Sequence, residues 1–179
     1  MQYVSHYFSS LGDILLSSNE QNVTGLWIAA QQEYAPLTVK EHPIGENAVL
    51  RLCKQWLDAY FAGNQPDILQ LPLAPAGNPF RQTVWQILRE IPYGTVVTYG
   101  AVAAETARRL GKTKMSAQAI GGAVGHNPIA LIIPCHRVVG ADGSMTGYAG
   151  GVDMKRRLLE HEGALQNGTC VPTKSLWQY

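Results

Sequence analysis

Leu131-Ile132-Ile133-Pro134-Cys135-His136-Arg137-Val138-Val139-Gly140 sets a thiol, an imidazole and a guanidinium in succession behind an apolar run. A thiol attacks carbon only as the thiolate, and a nearby base or a fixed positive charge favours that form. His136 and Arg137 supply one of each. The apolar run reads as a buried strand that Pro134 ends by removing a ladder donor. Cys135 is therefore expected at the lip of the core, facing a pocket. Consecutive side chains of an extended segment point to opposite faces, so a turn, a water or a third residue must connect Cys135 to His136. A lone Cys-His pair is more often packing than chemistry, and the surrounding sequence has to decide between the two.

Several elements must hold this stretch in place. Phe80, Val84, Trp85, Ile87 and Leu88 recur at helical spacing over residues 80–91, and Pro92-Tyr93-Gly94 reads as the turn that follows. Thr98-Tyr99-Gly100 precedes an alanine-rich helix over Ala101 to Leu110, with Gly111 as its stop. Ser116 is a candidate N-cap for a second helix running to Val124. Two short helices joined by Gly111-Lys112-Thr113-Lys114 have the form of a helix-turn-helix. Its second helix has almost no side-chain bulk. Readers of the major groove reach for base edges with Arg, Asn or Gln, whereas an Ala/Gly surface lets backbone approach a narrow minor groove without reading sequence. The competing reading is that these small residues permit close packing inside the protein.

Upstream, strands are expected at Tyr3 to Phe8, Asp13 to Ser18 and Gly25 to Ala30, forming a small antiparallel sheet. Val49, Leu50, Leu52, Cys53, Trp56, Leu57, Tyr60 and Phe61 then mark an amphipathic helix over residues 47–61 that covers one sheet face, with Cys53 as a core residue. Prolines at 66, 72, 75 and 79 suggest an extended connection between domains. The expected organisation is an α/β scaffold domain over residues 1–75, a mainly α DNA-binding domain with a winged-helix-like helix-turn-helix over 76–165, and a C-terminal tail over 166–179.

Charge follows the same division. Residues 1–76 carry three basic against seven acidic side chains (3 − 7 = −4), and the remainder eleven against six (11 − 6 = +5). That asymmetry points the second half at a polyanion. With 46% hydrophobic and 15% charged residues the chain reads as a folded globular protein. No run approaches a membrane span and no signal-peptide pattern opens the chain, so a cytoplasmic location without membrane association is expected. Three cysteines without metal-type spacing indicate neither a disulfide framework nor a zinc site.

The segments Ala119-Ile120-Gly121-Gly122-Ala123-Val124-Gly125-His126-Asn127-Pro128, Pro134-Cys135-His136-Arg137-Val138 and Gly147-Tyr148-Ala149-Gly150-Gly151 together resemble the active-site region of the O6-alkylguanine-DNA alkyltransferases. The likeness extends to Lys155, Leu158-Leu159-Glu160-His161-Glu162-Gly163, Thr98-Tyr99-Gly100 and Pro79-Phe80-Arg81-Gln82-Thr83-Val84-Trp85, covering roughly residues 78–163. The resemblance implies one-time transfer of the alkyl group of O6-methylguanine, and of O4-methylthymine, in duplex DNA to Cys135. The target base would be flipped out through the minor groove. It implies His136 as base through a bridging water, Glu162 as its orienting carboxylate, Asn127 as the tie between helix-turn-helix and active-site segment, and Tyr99 as phosphate contact and proton donor. Tyr148 would close over the base and the Val138 carbonyl would help recognise it. Ser116, Gln118 and Arg137 complete the expected DNA-contacting set. Gln118 departs from the family pattern, which has an arginine that fills the vacated stack; weaker or less salt-sensitive DNA binding is expected, with chemistry retained.

The product is a thioether that water does not reopen, so a stoichiometric, cofactor-free, monomeric protein is expected. The zinc of some N-terminal domains is not expected here, because that part offers only Cys53, His6 and His42. Three rivals remain open: a damage sensor of the same fold that does not transfer the group, a sequence-specific regulator, and a Cys-His-Glu hydrolase that turns over.

Overall fold

The computed structural model describes residues 1–173 and 176–177 and divides into two compact units. The first comprises Met1–Ala76 with Pro128–Ile132, the second Gly77–Asn127 with Ile133–Tyr179. Lys174, Ser175, Gln178 and Tyr179 of the expected tail lie outside the described residues.

In the first unit β1 (Tyr3–Ser9), β2 (Gly12–Ser18) and β3 (Val23–Ile28) form an antiparallel sheet in the order β1-β2-β3. Ser9 pairs with Gly12 across a two-residue turn, and the register shifts between Ser17 and Ser18. A single turn, α1 (Leu37–Lys40), precedes α2 (Ala48–Phe61). Asn47 caps α2 by accepting from the Leu50 amide, and Val49, Leu50, Cys53, Trp56, Leu57 and Tyr60 form its buried face. Cys53 is fully buried, as its place in the apolar stripe requires, and burial pushes its thiol up to about 12. The proline-rich connection does not run free. Val23 donates to Pro72 O and Ala74 donates to Val23 O, so this stretch lies along the start of β3.

Residues 131–133 depart from expectation. They form no strand. Leu26 of β3 donates to Pro128 O and receives from Ala130 N, after which Leu131 takes φ 70 and Ile132 N bonds back to Ala130 O, a γ-turn. Pro134, at φ −81 and ψ 64, centres an inverse γ-turn closed by Cys135 N to Ile133 O. Local turns outweigh β-propensity because the chain must leave one unit and enter the other within a few residues.

The second unit begins with Asn78 capping α3 (Pro79–Leu88), with proline in the first turn. Thr98 caps α4 (Tyr99–Arg109), which ends in a Schellman motif with Gly111 at φ 63, Gly111 N bonding Arg108 O and Lys112 N bonding Ala107 O. Ser116 Oγ accepts from Ala119 N to start α5 (Ala117–Gly125). Ile120, Ala123 and Val124 face inward, leaving Ala117, Gln118, Gly122 and Gly125 exposed. β4 (Val97–Thr98) pairs in parallel with β5 (Val138–Val139). After α6 (Val152–His161), β6 (Leu165–Gln166) and β7 (Thr169–Cys170) make a hairpin with Asn167 at φ 50 and Gly168 at φ 76. The expected tail is thus partly core: Cys170 is 5% exposed and packs with Val96, Val139, Leu159 and Ala164, while Thr173 N bonds Val96 O.

Candidate active site

Cys135 opens a 3-10 turn, Cys135–Arg137, that the two γ-turns aim inward. The residue is 4% exposed, so it lies inside the core surface and not at its lip. The same turn buries His136 and Arg137 beside it. In a 3-10 turn neighbouring side chains fan out around the axis, which answers the strand-geometry objection without placing the imidazole on the sulfur. His136 Nδ1 has no hydrogen-bond partner among the described residues, so it makes no direct bond to the thiol.

The other imidazole nitrogen is tightly held. Nε2 lies 2.7 Å from Glu162 Oε1. Glu162 is the C-cap of α6, which ends in a second Schellman motif: Gly163 takes φ 67, Gly163 N bonds Glu160 O and Ala164 N bonds Leu159 O. This geometry turns the Glu162 carboxylate inward, where it is 5% exposed. Arg137 Nε and Nη2 reach its two oxygens at 2.8 and 2.9 Å, and Gly94 N reaches Oε2 at 3.2 Å. The turn Pro92-Tyr93-Gly94 makes that last approach possible. Gly94 has φ 71, and a Cβ there would meet Glu162 O at 2.9 Å. Burial pushes the Glu162 carboxyl up, but the His136 and Arg137 charges and hydrogen bonds outweigh it and hold the group well below the usual carboxylate range. Burial also lowers His136, with Glu162 opposing. An ionised carboxylate at Nε2 requires that nitrogen to carry the proton, which leaves the lone pair of a neutral imidazole on Nδ1.

Arg137, expected among the DNA-contacting residues, points its side chain into the protein. Its guanidinium bonds Glu162 and Ile91 O and stacks 5.7 Å from the Tyr93 ring centre, so the charge is turned inward as a brace.

The thiol itself is pushed up by burial and pulled back by a hydrogen bond from the Asn127 side chain, by the Lys155 charge and by backbone amides. Asn127 Nδ2 also donates to Ile133 O at 2.8 Å, tying the chain just beyond α5 to the residue before Pro134. Lys155 was visible in the sequence only as part of a resemblance. In the structure it is fully buried, its Nζ donates to Val138 O and Thr146 O, and it lies 5.8 Å from the Tyr99 ring centre. Its place with Leu158 and Leu159 on one helical face was the available signal. Burial lowers it to about 8. Tyr99 OH donates to the same Thr146 carbonyl at 3.2 Å, and burial, then the Cys135 charge, raises its phenol to about 12. Tyr148 sits half-buried in the same connecting segment, and Val138 directly follows the Cys135 turn with its carbonyl engaged by Lys155.

Ser116 and Gln118 lie away from this cluster, at the start of α5. A Cβ built on Gly121, Gly122 or Gly125 meets nothing within 4 Å. Those glycines are not there to let the protein pack against itself, whereas Ala123, 2% exposed, is a small residue of α5 that does pack inside. A groove of about 730 Å³ runs along α4 between Ala103, Ala107, Arg108, Lys112 and Lys114 and reaches Ser116 at the start of α5; Cys135 does not line it. Among the described residues no group of three or more His, Cys, Asp and Glu is placed to hold a metal ion, and no helix is long and apolar enough to cross a membrane.

Residues 79–164 match the family described as 6-O-methylguanine DNA methyltransferase, DNA binding domain, and residues 2–75 match its ribonuclease-like domain. A methylated-DNA–protein-cysteine methyltransferase from Haemophilus influenzae is 41% identical over 160 residues, 89% of this chain and 86% of that protein. The chain belongs to the methylated-DNA–protein-cysteine methyltransferase family. Its Methanosarcina acetivorans relative is 39% identical over 90% of this chain and 99% of its own. Among solved methyltransferases of the family, the Mycobacterium tuberculosis O6-methylguanine methyltransferase superposes with TM-score 0.74 at 37% identity, covering 91% of this chain and 93% of that one. A crystal structure of M. tuberculosis OGT in complex with DNA superposes with TM-score 0.72 at 35% identity, covering 94% and 95%. The expected two-part fold, a small sheet domain and a helical domain, is that of this family.

Proposed function

We propose that this chain repairs alkylated DNA by direct reversal, moving the methyl group of O6-methylguanine onto Cys135. The Cys135 thiol gives its proton to His136 Nδ1 through a water, and Glu162 steadies the resulting imidazolium. The thiolate attacks the methyl carbon in line with the C–O bond; an S–C bond forms, the C–O bond breaks, and its electron pair leaves with guanine. Tyr99, which burial keeps protonated, is the proton donor to the departing purine. Asn127 holds the thiolate by hydrogen bond. The product is S-methylcysteine, so each molecule acts once and no cofactor is used.

DNA reaches the site through the minor groove, against the bare face of α5, with Gln118 occupying the gap left by the flipped base. Ser116 starts the helix that does this. Admission of the base displaces the segment around Thr146 and Tyr148. Val138 O, one lone pair of which Lys155 already takes, offers the other to the purine. O4-methylthymine is taken by the same route, and the protein works as a monomer.

The observation that carries this reading is the closed charge arrangement on Glu162: with His136 Nε2, Arg137 and Gly94 N all committed to the carboxylate, the imidazole next to Cys135 in sequence keeps a basic Nδ1 that is buried and has no hydrogen-bond partner among the described residues. The test is peptide mass mapping after incubation with duplex containing O6-methylguanine. One methyl group on the Cys135 peptide, absent in Cys135→Ser, supports transfer. Binding without a modified peptide means a sensor, and repair without one means a hydrolase; either outcome rejects the proposal.

A further inference from the structure

Along α4, Gly100, Ala103, Ala104, Ala107 and Arg108 recur at alternating steps of three and one, so they share one face of the helix. That face is the floor of the groove that reaches Ser116. From Gly100 to Arg108 it is about 12 Å long, the reach of about three nucleotides of one duplex strand. The turn at Gly111 folds the chain back with Lys112 N on Ala107 O, which sets Lys112 and Lys114 along the rim.

The charge on that rim is uneven. Glu105, 1% exposed, accepts from Arg108 Nε at 2.9 Å and from Nη2 at 2.8 Å, so the arginine already has its counter-ion. Lys112 and Lys114 are exposed and form no ion pair among the described residues, and no carboxylate lines the groove. An apolar floor under two uncompensated cations suits a sugar–phosphate strand, in which deoxyribose carbon alternates with an anion. An acidic peptide has the same charge, and the ends of the groove decide between the two. One end is Gly100, beside Tyr99; the other is Ser116 and Ala117, where the bare face of α5 begins. Duplex lying on α5 with its target base at the active site brings a strand past both.

We propose that this groove is a second DNA contact, in which Lys112 and Lys114 hold the phosphates of one strand while the alanine face packs against its sugars. The inference rests on duplex DNA being the substrate, as proposed above.

The test measures duplex binding by fluorescence anisotropy from about 50 to about 200 mM salt. It compares the unaltered protein with the double variant Lys112→Gln/Lys114→Gln and with Ala104→Leu. Loss of two phosphate contacts should flatten the log–log salt slope by about 1.8, making the double variant's affinity deficit about tenfold larger at the low end of the series than at the high end. Ala104 is exposed and leucine is a good helix former, so Ala104→Leu keeps the fold while its bulk obstructs the groove; binding should weaken about tenfold. A double variant with the parent slope would overturn the proposal and leave the groove to another occupant. Parent affinity in Ala104→Leu would overturn it too, because the lysines would then act from a distance. Methyl transfer to Cys135 is followed in the same samples. Both binding effects without transfer reject the repair reading and keep the groove; transfer with neither effect rejects the groove alone. An unaltered protein that binds no duplex rejects both.

Discussion

Glu162→Gln removes one charge from a carboxylate that accepts from His136, twice from Arg137 and from Gly94. Glutamine keeps the shape but leaves the Arg137 guanidinium, 8% exposed, facing a neutral amide in the interior. Breaking a buried ion pair from one side typically costs about 3–5 kcal/mol, a large share of the ~5–15 kcal/mol that holds a domain folded. The pH dependence follows from the direction of the shift. Glu162 is depressed below its ordinary 4.5 in the folded state, burial notwithstanding, because His136 and Arg137 favour the charged form. Its stabilisation is therefore complete above the unfolded value and is lost as pH falls through the folded one. Glutamine does not titrate, so the difference between the two proteins should be largest at neutral pH and shrink below pH 4.5. Urea unfolding with amide exchange read in α6 isolates this unit. A difference under ~1 kcal/mol at neutral pH, or one that does not narrow in acid, would refute the reasoning.

Three further outcomes are expected. Gly122→Leu should leave unfolding unchanged or slightly improved, since the added atoms meet nothing and glycine is a poor helix former, yet weaken duplex binding about tenfold if that face meets the minor groove; an unchanged affinity would move the DNA elsewhere. Gln118→Arg should tighten duplex binding and steepen its salt dependence by about one counterion, and titrations at two salt concentrations that show neither would remove this position from the DNA stack. Lys155 is lowered from 10.5 to about 8 by burial, so it withholds stability at neutral pH and restores it as pH rises from 8 towards 10.5; Lys155→Met should lack that rise in a pH series of thermal melts, and an identical rise in both proteins would contradict the assignment.

Much of this was readable before any coordinates. The helical spacing in 47–61 reports a face buried on one side, where period and burial must agree, whereas the strands in 3–28 were legible as short apolar segments although β2 and β3 are buried on both faces. The cap at Ser116 and the glycine stop at Gly111 are local chemistry, and they lie where the residue types put them; Asn47 and Asn78 cap their helices by the same chemistry without having been expected to. The chemistry of Cys135, His136 and Glu162 needed the wider motif, because no local pattern links residues 26 positions apart. What misled was tertiary. Leu131 to Ile133 has the composition of a strand but serves as a passage between units, and Arg137 looks like a DNA-facing cation until Glu162 is seen beside it. The Asn167-Gly168 pair, a strong hairpin signal, went unused, and the tail was left without a role.

The central claim is that one sulfur takes one methyl group and is then spent. Titrating an excess of duplex carrying O6-methylguanine with known amounts of protein measures it directly. The count of restored guanines should rise to one per protein molecule and stop, however long the incubation. A count that keeps climbing, or stays at zero while the duplex is bound, contradicts the account.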